Sequence, residues 1–143
     1  MAKLYIISCL VLFTSCFSTK DFLKYDQIPS DFGKGNKPIF ITASSKGRIN
    51  NIILNTFEKY YKGPYTYVTD DKPPGHFGYS FNAYIDYYNI VTTSGNIERD
   101  KDIQFQLTDL KTNKVYETFG FGYAKTKAKY YIQALEIVRQ RNQ

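Results

Sequence analysis

Tryptophan is absent, histidine occurs once, and the only two cysteines fall at positions 9 and 16 of 143. One histidine, His76, cannot form an HxH or HExxH metal motif, since each needs two. Few groups are left for a nucleophile paired with a base. No thiol follows Cys16, so a chain processed at that point has no internal disulfide and is held together by its core alone. The phosphate-loop patterns GxGxxG and GxxxxGK[ST] are missing as well. What is present fits one domain. Apolar residues make up 43% of the chain, and 14 tyrosines with 11 phenylalanines bring the aromatics to 17%. That composition supports a real core and excludes disorder. The net charge of +6 favours anionic partners without identifying one.

The start, MAKLYIISCLVLFTSC, has three parts: Lys3, an apolar run from Leu4 to Phe13, and the small polar Thr14-Ser15-Cys16. Ten such residues span about 15 Å as a helix, roughly half a bilayer core, so the run reads as a signal-peptide core and not as a transmembrane helix. Taken alone, Cys16 could be half of a disulfide, a reactive thiol, a metal ligand or a lipid attachment point. No Ala-x-Ala cleavage pattern precedes it. Phe13-Thr14-Ser15-Cys16 resembles the lipobox of bacterial lipoproteins, with Thr14 and Ser15 fitting and Phe13 standing where leucine is usual. The resemblance implies that residues 1–15 are removed and that Cys16 becomes a lipidated N-terminus. Its sulfur would carry diacylglycerol and its amine often a further acyl chain. Two or more chains hold a protein firmly at a membrane. The expected location is the bacterial cell envelope, lipid-anchored in the outer membrane and facing the periplasm or the cell surface.

After Cys16, residues 17–37 mix charge, Gly, Ser and Pro without a period. They read as a flexible tether spanning about 25 Å. A single domain is expected over residues 38–143. Pro38 to Ala43 reads as a buried strand. Ile49, Ile53, Phe57 and Tyr60 recur at helical spacing until Gly63-Pro64. Residues 65–69 form a second strand, and residues 70–75 a loop. From Tyr79, odd positions (Phe81, Ala83, Ile85, Tyr87) alternate with even ones (Asn82, Tyr84, Asp86, Tyr88). Ile103, Phe105 and Leu107 alternate too, and residues 109–114 turn into a strand over 115–121. Ala124, Ala128, Tyr131, Leu135 and Val138 mark an amphipathic helix. The order β-α-β-β-β-β-α predicts an α+β fold: a mostly antiparallel sheet with two helices packed on one face. In pattern, residues 38 to 141, including LTDLKTNKVYETFGFG before the last helix, look like small periplasmic lipoprotein domains. Those include domains similar to the curli-secretion lipoprotein and the lipoprotein activator of penicillin-binding proteins. Such families assemble or regulate envelope machinery, which implies a protein partner and no catalysis.

Candidate sites are few. His76 with Asp70 and Asp71 could hold a metal or act as a base, but ligands beyond these are lacking and a plain loop histidine is the expectation. Asn96, Glu98, Asp100 and Asp102 alternate as calcium ligands do. Counted from Asn96, however, Lys101 and Leu107 stand where an EF-hand needs Gly and Glu. GHFGYSF and GFGYA are similar to an RNA-binding aromatic signature but lack its leading basic residue, and no strand follows the last helix. Lys125, Lys127 and Lys129 crowd the start of the final helix, where the dipole disfavours cations. Either a bound anion or solvation would relieve this, and solvation is the expectation. No metal, cofactor or nucleic acid is expected. Tyr84 and Tyr88, with Asp86 between them, lie opposite the core face of their strand. They form either an aromatic contact patch for a partner or an ordinary cross-strand surface. The resulting expectation is a membrane-anchored, non-catalytic binding or assembly component of the envelope. The alternatives are an anchored inhibitor or immunity-type binder, and an enzyme acting on envelope polymers.

Overall fold

A computed structural model describes residues 18–42, 47–69, 75–120 and 122–143. Cys16, Asp70 and Asp71 lie outside the described residues. Among those described, the elements are α1 (Thr19–Lys24), a 3₁₀ turn (Lys34–Asn36), β1 (Ile39–Thr42), α2 (Gly47–Tyr60), β2 (Tyr65–Val68), β3 (Tyr79–Val91), β4 (Ile97–Asp109), β5 (Val115–Glu117) and α3 (Ala124–Arg141). The fold is α+β, with the strands in the order β2-β1-β3-β4-β5.

The expected antiparallel pattern holds for β3–β4 and β4–β5. The other half of the sheet is parallel, because β1 sits between β2 and β3 and runs with both. A parallel neighbour needs a crossover, and α2 supplies the one from β1 to β2. Lying centrally explains why all four residues of Ile39-Phe40-Ile41-Thr42 are buried. Ile39 and Ile41 join the main core, while Phe40 is covered from the other side by the 75–78 segment. Gly78 is needed there: it has φ +115°, and a Cβ would lie 2.5 Å from Pro38 O and 3.2 Å from the Phe40 ring.

Helices α2 and α3 pack on the odd-numbered face of the sheet, as the periodicity predicts. They run parallel, since Ile49 and Gly122–Ala124 meet at their starts and Lys62 N donates to Glu136 Oε2 (3.0 Å) near their ends. The core between layers is aromatic. Phe81 sits 5.0 Å from Phe57, 5.7 Å from Phe105 and 6.2 Å from Tyr131, measured between ring centroids. Phe105 and Tyr131 stack at 5.8 Å and 10°. Such pairs add about 0.5–1.5 kcal/mol each beyond their burial.

The expectation of a flexible tether up to residue 37 is corrected. From Ser18 onward the chain is part of the fold. Ser18 caps α1 in a box with Asp21, whose Oδ2 accepts from Ser18 N at 2.8 Å. Phe22 and Phe32 are buried and meet Tyr131 (5.3 Å) and Tyr79 (4.9 Å). Tyr131 Oη donates to Gln27 O (3.1 Å), and Asn142 Nδ2 donates to the carbonyls of Ser30 (2.9 Å) and Phe32 (2.8 Å). A third helix, α1, therefore joins the two expected and packs on α3. The strand expected over 115–121 is also corrected: β5 ends at Glu117 because Thr118 turns inward. Thr118 N donates to Phe105 O (2.9 Å), and its hydroxyl accepts from Phe105 N (2.8 Å). None of the helices described is long and apolar enough to cross a membrane.

Candidate functional site

Strands β3 and β4 are 13 residues each, far longer than their neighbours. β1 pairs with β3 only at Tyr79–Phe81, and β5 pairs with β4 only at Gln106–Thr108. Beyond these points the two strands continue as a two-stranded ribbon, paired up to Val91 opposite Ile97. Ala83, Ile103 and Phe105 still lie under the helices, but from Asp86 outward the ribbon is largely exposed. At about 3.4 Å per residue the free part projects roughly 20 Å.

Alternation gives the ribbon two chemically different faces. Val91 and Ile97 face each other across the strands at the tip, on the helix-side face, 74% and 72% exposed. Below them the Arg99 guanidinium lies 4.5 Å from the Tyr87 ring centroid, a cation–π contact on an exposed ring. The opposite face carries Tyr84, Asp86, Tyr88 and Ile90, registered against Gln104, Asp102, Asp100 and Glu98. It is therefore acidic and aromatic. Tyr88 Oη donates to Asp100 Oδ2 (3.2 Å). Tyr84 and Tyr88 are half-buried and Asp86 is exposed. Partial burial first, then neighbouring carboxylates (Glu117 and Asp86 for Tyr84, Asp100 for Tyr88), push both phenols above their ordinary values. Both stay protonated and able to donate. The three residues singled out from alternation thus share one face, away from the helices.

The root of the ribbon is held by a residue that the sequence reading assigned to solvent. Lys127 is fully buried. Its Nζ donates to Asp102 Oδ2 (3.1 Å), Ile103 O (2.8 Å), Gln104 Oε1 (2.7 Å) and Gly120 O (2.7 Å). It therefore meets the edge of β4 where β5 has ended, and Gln104 Oε1 also accepts from Thr118 Oγ1 (3.0 Å). Asp86 and Asp102 stand opposite each other in the ladder, an arrangement that repels when both are charged. Lys127 offsets it. Burial draws the Lys127 pKa down, while Asp102 and Asp86 oppose that shift. A nitrogen surrounded by oxygen acceptors requires the protonated form. The lysine was detectable in principle: Lys127, Tyr131 and Leu135 are spaced four apart, which puts Lys127 in the core stripe of α3.

On the outer surface of the helix layer, α2 and α3 border a groove of about 550 Å³ lined by Arg48, Lys59, Lys125 and Lys129 together with Asn51 and Asn55, and among the described residues no carboxylate lines it. His76 is exposed in the 75–78 segment. Glu98, Asp100 and Asp102 lie along β4, and among the described residues no group of three His, Cys, Asp or Glu side chains is placed to hold a metal ion.

The fold and these surfaces define a small α+β domain with a projecting, two-faced β-ribbon. Compared with protein-family models, with curated proteins and with solved structures, the chain matches none.

Proposed function

We propose that this chain is a lipid-anchored, non-catalytic binding component of the bacterial cell envelope that engages a protein partner through the β3–β4 ribbon. The observation that carries the reading is the ribbon itself. Solvated two-stranded ribbons are marginal alone, and exposed apolar pairs on open strand edges invite association. Here a buried ion pair fastens the root of such a ribbon, and its tip offers Val91 and Ile97 to solvent. Tyr84, Asp86 and Tyr88 add a second contact surface on the ribbon's opposite face, supplying the aromatic residues that interface centres favour. Anchoring rests on the lipobox-like Phe13-Thr14-Ser15-Cys16. The non-catalytic reading rests on the sequence, whose single histidine leaves few nucleophile–base pairings.

Asp86 and Asp102 face each other as a hydrogen-bonded pair, in step with Thr92 N donating to Asn96 O, so an Asn-Gly turn can join them and remove residues 87–101 without disturbing the body. Membranes are extracted in mild detergent and run on native gels. The parent chain is expected in a complex larger than a monomer, and the shortened chain outside it with an unchanged melting temperature. A complex that survives the deletion refutes the ribbon as its binding element. The intact mass of the membrane-extracted chain should show a lipidated Cys16 at the N-terminus. Cys16→Ser should move the chain to the soluble fraction, and an unmodified Cys16 refutes the anchor.

A further inference from the structure

We propose that the groove between α2 and α3 binds the headgroup phosphates of anionic phospholipids, laying the helix layer on the bilayer and turning the tyrosine face of the sheet away from it. The first observation is the groove's charge. Arg48, Lys59, Lys125 and Lys129 line one depression, Asn51 and Asn55 add amide donors, and among the described residues no carboxylate lines it. Both helices begin at the same end, so their positive dipole ends lie side by side there. That field adds to the cations and attracts negative charge.

The second observation is where the fold starts. Ser18 already belongs to the α1 cap, two residues after Cys16, so the anchor point lies within about 7 Å of the structured domain. Thr19 Oγ1 donates to Gln133 Oε1 (3.4 Å). Gln133 is one helical turn, about 6 Å, from Lys129. Thr126, Lys129 and Gln133 follow +3, +4 spacing and share the outer side of α3. A lipid on Cys16 therefore brings the groove side of the helix layer to the membrane.

Charge polarity across the domain is the third observation. Asp86, Glu98 and Asp100 are exposed on the sheet face remote from the helices. An anionic bilayer attracts the groove and repels that face, so orientation follows from electrostatics as well as from tethering. The ribbon is then held above the lipid surface with Tyr84 and Tyr88 outward. This geometry rests on the anchor reading of the preceding section, whereas the composition of the groove does not.

The test uses the full-length chain carrying Cys16→Ser, so that lipid attachment cannot mask weaker binding. Partition is measured onto phosphatidylcholine vesicles with and without phosphatidylglycerol. The leader contributes equally to every form compared. Binding should require phosphatidylglycerol and fall as salt is raised. Lys125→Glu with Lys129→Glu should lower the partition at least about thirtyfold, since each lysine lost is roughly fivefold and each glutamate adds repulsion. Lys34→Glu with Lys111→Glu makes the same charge change outside the groove and should lower it only a few-fold. Melting temperatures of both double variants are compared, so that loss of fold is not read as loss of binding. Equal losses in the two variants, or indifference to phosphatidylglycerol, overturn the proposal. Inorganic phosphate that releases the chain at the same phosphate concentration would make the groove a soluble-phosphate site and overturn the lipid assignment. The mass of Cys16 in the parent chain is read separately, so failure of the anchor and failure of the groove give different results.

Discussion

Replacing Lys127 with methionine keeps most of the side chain's length and apolar volume but deletes the ammonium. Four oxygens then lose the ammonium together: Asp102 Oδ2, Gln104 Oε1 and the carbonyls of Ile103 and Gly120, now between 2.7 and 3.1 Å from Nζ; Gln104 Oε1 keeps only Thr118 Oγ1 (3.0 Å) and Asp102 Oδ2 only Gln104 Nε2 (3.3 Å) as side-chain donors. Asp102 is 8% exposed, so its charge cannot be resolvated without opening the edge of β4. Breaking a buried pair from one side costs about 3–5 kcal/mol, and the orphaned carbonyls belong to the same rearrangement. Against a typical domain stability of about 5–15 kcal/mol, that is from about a fifth to the whole of the total. The melting temperature should fall by roughly 10–20 °C. Urea denaturation of Lys127→Met, Asp102→Asn and the double variant completes a cycle. Because the two residues share one interaction, the double variant should lose less than the sum by about 1–3 kcal/mol. Amide exchange at residues 102–105 should accelerate in Lys127→Met before exchange elsewhere in β4 does. A Lys127→Met protein within about 1 kcal/mol of the parent, or an additive cycle, would refute the view that this ammonium fastens the ribbon's root.

The remaining expectations concern core, surface and acid stability. Phe81→Ala removes a ring packed on Phe57, Phe105 and Tyr131 and should cost about 3–5 kcal/mol in a denaturant melt. Tyr84→Ala and Tyr88→Ala should cost clearly less, and losses equal to that of Phe81→Ala would reverse the assignment of faces. Burial pushes Glu136 up, but Arg139, the Lys62 amide and Gln140 together hold it below its ordinary value of 4.5. Asp109 is pushed up by burial and brought below its ordinary 3.8 by the amides of Thr112 and Lys111 and by Lys37. A carboxyl with a depressed folded pKa binds fewer protons when folded. Its contribution is complete above those ordinary values and is lost as pH falls through the lower folded ones. Stability measured by thermal melts should therefore be flat near neutrality and drop below about pH 4.5, and Glu136→Gln should flatten part of that drop.

Much of the domain was legible because its elements have one wet and one dry side. Alternation from Tyr79 to Tyr88 separated Phe81 and Ala83 from Tyr84 and Tyr88, and the spacing of Ala128, Tyr131 and Leu135 marked the buried stripe of α3. Three parts escaped for separate physical reasons. Phe22 enters the core from a helix of only six residues, and Ile28 and Phe32 enter it from irregular backbone, so no period links them and the segment looked like a tether. The stretch Ile97–Lys101 is wet on both sides of the ribbon, so the start of β4 lacks the alternation by which strands are recognised. The parallel placement of β1 between β2 and β3 is a matter of topology, which hydrophobic pattern does not encode. The basic groove likewise required α2 and α3 to lie side by side. Its four cations come from positions 48, 59, 125 and 129, and only Lys125 and Lys129 had stood out, for crowding the start of a helix.

The most direct test of the ribbon as the partner-binding element is photo-cross-linking in intact cells from a reactive amino acid placed at Val91, with Lys111 as the control position. Both sites are exposed, but only Val91 lies at the ribbon tip. A discrete adduct of one envelope protein is expected from position 91, absent from position 111 and lost when Tyr84 and Tyr88 are both changed to alanine. Adducts of equal yield from the two positions, or none from position 91 in a correctly folded, membrane-associated chain, would contradict this role of the ribbon.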